Sequence, residues 1–291
     1  MASSSSSLRR ADLLSLSNLR SDGRKPSELR RLRVHLGCIQ DTGTAVCGGA
    51  AIIEMGLTMV VATVRGPLDC TRRSDEIHDR AILEVLVQSA PFGSGGPDRR
   101  ITNPHTDRRL IEISNLVQRS LEAAILLQLH PKSRIQIHIL ILADDGGKLC
   151  AAINAATLAV MDAGIPMKDF CVACTAGLSS SSSSSSSDPD TTAPLIDLNK
   201  REESSSSGQP AVVLPCAMLP QRGTVVMAQC EARLPDIDTL QRVQMAAMEG
   251  CRAVFEILQA AIRERAATLL SARTGHAMIE NAYTIDTASF S

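Results

Sequence analysis

Between two apolar runs lies Asp144-Asp145-Gly146-Gly147-Lys148. A turn of this kind that feeds a helix leaves backbone N–H groups unpaired at the positive end of the helix dipole, which suits a phosphate. The same residues also suit an ordinary strand-to-helix turn in which glycine supplies positive φ. Arg108 and Arg109 open another predicted helix. Cations at that end oppose the macrodipole, so an external anion would explain them, and guanidinium forks match phosphate oxygens. Asp197, Glu202 and Glu203 form a third group. Carboxylates beside a phosphate can hold Mg²⁺ or act as general acid, and in a polar loop they are also often just solvated.

Other reactive side chains build less. Cys171-Val172-Ala173-Cys174 is a CxxC without a second pair or a nearby His pair, so no zinc set is predicted and buried thiols are expected. The six His are scattered and form no nucleophile–base grouping. Nine Cys is an odd number with no regular spacing, which reads as reduced thiols of a cytosolic or nuclear protein. Net charge is -1, so nucleic acid could be held only by local basic clusters. Aromatics are 2%, which argues against modules that stack bases on several exposed rings. No apolar stretch approaches the ~18 residues of a membrane span, and no membrane association is expected. The first residues lack the apolar core of a secretory signal; a transit peptide is the alternative there.

The elements that would position these groups follow from pattern. Val34–Cys38, Ala50–Glu54, Thr58–Arg65, Ile82–Ser89, Arg134–Leu142 and Asp169–Gly177 read as strands, and Val212–Leu219 with Val225–Cys230 as a hairpin. Asp107–Leu129, Lys148–Ala163 and Asp236–Arg265 carry apolar residues at helical steps. Pro91–Pro104 is a Gly-rich loop. Strand groups each followed by a helix predict a mixed α/β fold, a mixed sheet covered by helices. Residues 1–18 are Ser-rich and read as disordered. Residues 19–265 form the folded domain, with a flexible Ser insertion at 179–194, and 266–291 form a tail. The basic run Arg20, Arg24, Lys25, Arg30, Arg31 and Arg33 reads as a solvated face, with polyanion contact as the alternative.

Several of these stretches together resemble a known family. They are Leu19–Arg30 with its Ser21-Asp22-Gly23-Arg24 core, Glu54-Met55-Gly56, Ala62–Pro67, Arg108-Arg109 with Glu112-Ile113-Ser114, and Ala143–Gly147. The most specific is Ala152–Ala159 running into Asp162–Met167, and Asp197-Leu198-Asn199 with Glu202-Glu203 completes the set. The chain resembles the exosome ring subunits of the RNase PH family, in particular the eukaryotic ones related to the archaeal catalytic subunit. The likeness spans roughly residues 19–265.

The resemblance implies an RNase PH fold of ribosomal-protein-like βαβ units within a ring of six such subunits around a pore for single-stranded RNA. Implied partners are other RNase PH-type ring subunits, S1/KH-type cap subunits, a hydrolytic exoribonuclease and single-stranded RNA. Implied locations are nucleus, nucleolus and cytoplasm, with roles in RNA processing and degradation, rRNA processing included. Active members cleave RNA with inorganic phosphate and release nucleoside diphosphates. Carried over one at a time, Arg108 and Arg109 match RNA- and phosphate-binding positions, and Gly146 and Gly147 match the phosphate turn. Lys148 stands where a hydroxyl residue is expected, and Leu149 where the phosphate-binding Arg is expected. Asp197 matches the first catalytic carboxylate, and Glu203 replaces the second Asp with one more methylene. Losing a charge-assisted fork to a desolvated phosphate removes several kcal/mol of transition-state stabilisation. The expectation is a ring subunit that binds RNA without phosphorolysis and requires no cofactor. The enzymatic alternative, a phosphate-dependent 3′→5′ exoribonuclease, would use inorganic phosphate and Mg²⁺. An organellar polynucleotide phosphorylase relative is a third reading, which the single catalytic-type unit disfavours.

Overall fold

The computed structural model describes residues 19–20, 22–37, 48–69, 76–93, 105–178, 194–203, 212–230, 236–273 and 285–286. The Ser-rich start at 1–18, the Ser tract at 179–187 and most of the Gly-rich loop and the tail lie outside them.

Ten strands form two sheets among the described residues: β1 Leu32–Leu36, β2 Gly49–Met55, β3 Thr58–Asp69, β4 Ile82–Ser89, β5 Ser133–Ala143, β6 Val172–Leu178, β7 Leu195–Ile196, β8 Val212–Leu219, β9 Thr224–Ala228 and β10 Ile285–Asp286. The larger sheet runs β10-β1-β2-β3-β5-β4 and the smaller β7-β6-β8-β9. Only the β4–β5 pair is parallel; the other pairings are antiparallel. Helix α1, Arg108–Ala124, connects β4 to β5 and so completes a βαβ unit. The mixed sheet expected from the strand and helix order is thus present.

Helix α2, Lys148–Asp162, packs against both sheets, and every residue from Cys150 to Val160 is buried. A helix enclosed on all sides must be apolar all round. Its Ala residues let backbones approach closely. A Cβ at Gly49 would overlap the Ala159 carbonyl oxygen and the Ala163 nitrogen, so β2 meets α2 where only glycine fits. The polar exceptions are paired. Asn154 donates to Ala173 O at 2.9 Å and accepts from Ala173 N at 2.8 Å, tying α2 to β6.

Helix α3 is a short turn, Lys200–Glu203, and α4 is long, Ile237–Arg273. α4 covers the other face of β6 and β8, which is why β6 is buried on both faces. Cys171 and Cys174 are therefore both buried, as expected, and burial pushes the Cys171 thiol up to about 12.

Several boundaries differ from the pattern-based ones, among them β1, which runs from Leu32 to Leu36, and β3, which continues to Asp69; three have a clear physical cause. α1 ends at Ala124 rather than Leu129, because Ile125 turns extended and pairs with Met167 while Leu126 N–H bonds Pro166 O at 3.0 Å. A short 3₁₀ turn follows at Leu127–Leu129. α4 continues to Arg273 past the expected end at Arg265, through Ala266, Ala267, Leu269 and Leu270, which are good helix formers. Asp169 is outside β6. Its carboxylate accepts from the N–H groups of Gln221 and Arg222 at 3.0 and 3.1 Å, where it caps the β8–β9 turn.

The basic run is not a solvated face throughout. Arg20 and Arg30 are buried, 5% and 7% exposed. Arg20 pairs with Glu202 at 2.6 Å and Arg30 with Asp197 at 2.7 Å. Their carboxylate partners lie more than 160 residues away in sequence, so no local pattern marks the pairing.

Candidate functional site

The turn between β5 and α2 has left-handed backbone at Gly146 and Gly147, with φ of 91° and 66°. A Cβ at Gly146 would stand 2.6 Å from Lys200 N, so the turn rests directly on the start of α3. Thr58 Oγ1 donates to Gly146 O at 2.8 Å and accepts from Asp145 N at 3.0 Å. Arg30 locks the same turn: Nη1 donates to Asp145 O at 2.9 Å and Nη2 to Gly146 O at 3.2 Å. The rest of that guanidinium grips Asp197, Nε to Oδ2 at 3.0 Å and Nη2 to Oδ1 at 2.7 Å, and Arg30 N donates to Oδ2 at 2.8 Å. Such a buried pair is held by its geometry, and removing one partner alone costs about 3–5 kcal/mol.

Beside the turn opens a cavity of about 460 Å³. Helix α1 contributes Arg109, Glu112, Ile113 and Leu116, a single face at steps of three and four. The start of α2 contributes Gly147, Lys148 and Leu149, and α3 contributes Glu203. β6 and β8 close the wall with Thr175, Val213 and Pro215. Gly147 is the N-cap of α2 and offers no side-chain cap. Its N–H donates instead to Glu203 Oε1 at 2.7 Å. Burial pushes the Glu203 carboxyl up from its ordinary value, and Asp144 adds to this, against the Gly147 N–H, Arg30 and Lys148. Lys148 lies 3.8 Å from Asp144 and is substantially exposed, so that pair contributes little stability. Asp107 caps α1 by accepting from Arg109 N at 3.0 Å. Among the described residues neither Arg108 nor Arg109 forms an ion pair.

The residues singled out in the sequence separate into two sets. Arg109, Gly147, Lys148 and Glu203 meet on one cavity, with Leu149 on its wall. Arg108 is exposed and is not on that wall. Gly146 lies in the turn but not on the cavity wall, and Asp197 is 1% exposed with its carboxylate committed to Arg30. Asp197 is consequently not presented as a free carboxylate, and it is firmly placed despite the Ser tract ahead of it. The Asp197 and Glu203 carboxylates both approach Gly147, Asp197 Oδ1 at 4.0 Å from where a Cβ would stand and Glu203 Oε1 at 2.7 Å from its N, and among the described residues no group of three or more His, Cys, Asp or Glu could hold a metal. Glu112, Thr175 and Pro215 were missed as cavity residues. Glu112 stands three residues from Arg109 within a stretch that carries the family resemblance, and nothing local marks the two strand residues.

A βαβ unit joined to a second small sheet, with a glycine turn over a cavity lined by Arg109, Lys148, Glu112 and Glu203, defines a class. The family model described as "3′ exoribonuclease family, domain 1", RNase PH, matches residues 28–166. The chain belongs to the RNase PH family. Within it, the mouse protein "Exosome complex component RRP41" is 39% identical over 254 residues, 87% of this chain and 94% of that one. The Rrp41 of Thermococcus kodakarensis is 34% identical over 246 residues, 84% and 89% of the two chains. In structure, the rice Rrp46 crystal structure matches with a TM-score of 0.63 at 22% identity, covering 83% of this chain and 99% of that one. An Archaeoglobus fulgidus exosome with RNA bound to the active site matches at 0.64 and 23%, covering 86% and 97%. At such identities these two support the fold.

Proposed function

We propose that this chain is a ring subunit of an RNA exosome that binds single-stranded RNA at the Arg109–Lys148 cavity and does not itself carry out phosphorolysis. Similarity to exosome components of animal, plant and archaeal origin supports the assembly. The observation that carries the non-catalytic reading is Leu149. An apolar side chain occupies the cavity wall where active relatives are expected to hold phosphate with an arginine fork. Lys148 supplies a point charge but no planar fork. Asp197 supports the same reading, since its carboxylate accepts three hydrogen bonds from Arg30.

In this reading Arg109 and Lys148 attract the RNA backbone, and Ile113, Leu116 and Val213 line an apolar wall against the nucleotide. The partners would be other RNase PH-type subunits, S1/KH-type cap subunits and a hydrolytic exoribonuclease that cuts the threaded RNA. The proposed setting is nucleus, nucleolus and cytoplasm, and no cofactor is needed. The enzymatic alternative would need inorganic phosphate and Mg²⁺.

Assaying the assembled ring for phosphate-dependent release of nucleoside diphosphates tests the proposal. No release above a ring carrying Arg109→Ala is expected. Release that depends on Arg109 and on inorganic phosphate would replace the proposal with the enzymatic alternative.

A further inference from the structure

We propose that Glu203 is the cavity's own competing anion: its carboxylate occupies the α2 N-terminal N–H that an entering tetrahedral oxyanion would use, so the site admits such an oxyanion when Glu203 is protonated or displaced. The proposal rests on the reading that this cavity receives RNA phosphate.

The geometry points this way at several places. Helix α2 begins on a glycine without a side-chain cap, and its first turn contains no acidic residue. The cap comes instead from Glu203, 56 positions further along, at 2.7 Å. A carboxylate on a helix N-terminus gains from the orphan N–H groups and from the dipole, the same two contributions that favour a bound phosphate. The two anions therefore compete for one place. The side chain also reaches over from α3, whose own position is fixed. Lys200 N donates to Asp145 O at 3.0 Å, and Arg20 holds the neighbouring Glu202. The backbone that carries Glu203 is thus held against the turn by contacts of its own element.

The charges around Glu203 do not neutralise it directly. On the turn are Asp144 and Asp145, and at the start of α2 is Lys148, which pairs with Asp144. Behind the turn Arg30 is committed to Asp197. From α1 come Arg109 and Glu112, across the cavity. On its own element are Lys200, Arg201 and Glu202, of which Lys200 meets Asp144 and Glu202 meets Arg20. Among the described residues no cation forms an ion pair with Glu203 itself. Burial without a paired cation raises its proton affinity, with Asp144 contributing further. No histidine lines the cavity among the described residues, so the proton-linked response there belongs to glutamate.

The test uses the full chain assembled with its ring partners and labelled sulfate, a tetrahedral dianion whose charge is constant across the range used. Sulfate binding that disappears with Arg109→Ala reports this cavity rather than others in the ring. That fraction should tighten as the pH is lowered from about 8 to about 5, the direction in which Glu203 takes up its proton. Glu203→Gln should bind sulfate more tightly than the parent at about pH 8, with a flat profile. Glu203→Asp keeps the charge but shortens the reach, and it should also bind sulfate more tightly at the higher pH. Arg109-dependent binding that is equal at both pH values and unchanged by Glu203→Gln would overturn the proposal while leaving the RNA-phosphate reading in place. Absence of Arg109-dependent sulfate binding in the parent and in Glu203→Gln would overturn both.

Discussion

Arg108 and Arg109 are neighbours in sequence, yet one helical step turns them about 100° apart. Only Arg109 lines the cavity. The two should therefore separate in solution. Arg109→Ala should weaken RNA binding by the assembled complex nearly independently of sequence and flatten its salt slope by about one charge unit, with Arg108→Ala doing less. Filter binding over a salt series measures both, and an equal or reversed order would remove Arg109 from the RNA path. Single residues were legible where chemistry repeats in a short motif. The glycine turn, Lys148 and Glu203 stand out because their types and order match a family signature, and three of the four cavity residues so chosen, Arg109, Lys148 and Glu203, carry charge. Asp197 was found by the same signature, but its burial against Arg30 depends on a contact across 167 residues that no spacing reveals. Arg20 and Arg30 illustrate the same limit. A run of arginines has the same composition whether it faces water or neutralises carboxylates from the far end of the chain.

The element that organises everything else is α2, enclosed between the two sheets and delivering Gly147, Lys148 and Leu149 to the cavity from its first turn. Its position depends on close backbone approach at Gly49, where a Cβ would come within 2.9 Å of Ala163 Cα as well as overlapping two backbone atoms. Backbone cannot step aside as a side chain can. Gly49→Ala should lower stability by about 1–3 kcal/mol through overpacking and tilt the start of α2 out of place. A lower unfolding midpoint together with weaker RNA binding would show this. An unchanged midpoint would mean that the α2–β2 contact is looser than it stands here. The elements themselves were mostly readable from periodicity. β4 and β8 have the expected ends, and α2 begins at Lys148 as expected, because Gly146-Gly147 forbids an earlier start. Where the ends moved, tertiary pairing outweighed local propensity. Ile125 left the helix to bridge Met167, and Asp169 left the strand to cap a neighbouring turn. What periodicity could not supply was the enclosure of α2. An apolar helix without a polar face is compatible with several burial geometries, and only the presence of a second sheet settles which.

At the scale of the whole molecule, the long connection between β6 and β7 joins two strand ends that already lie side by side. Gly177 pairs with Leu195 and Ala176 with Ile196, so 16 residues, 179–194, span a gap that a hairpin loop of a few residues closes. Loop-closure entropy grows only slowly, about 0.6 kcal/mol for each doubling of length. Removing Ser179–Ser187 leaves seven residues, 188–194, which is still ample for the turn. The site on the far side of β7 does not depend on the connection for its placement. Asp197 is fixed by Arg30 and by its N–H to Thr175 O at 2.7 Å, Leu198 N donates to Thr175 Oγ1 at 3.4 Å, and Ile196 N donates to Pro26 O at 2.9 Å. Each of these contacts lies after the connection and ties the chain back to elements that the deletion does not touch. The deleted chain should therefore unfold within a few degrees of the parent, enter the same assembly, and bind RNA with the same salt slope. Differential scanning measurements on the assembled complex, paired with the binding series, check all three. A fall of more than a few degrees, or a selective loss of RNA affinity with folding intact, would show that the Ser segment contributes contacts to the domain or to the RNA rather than serving only as a connection.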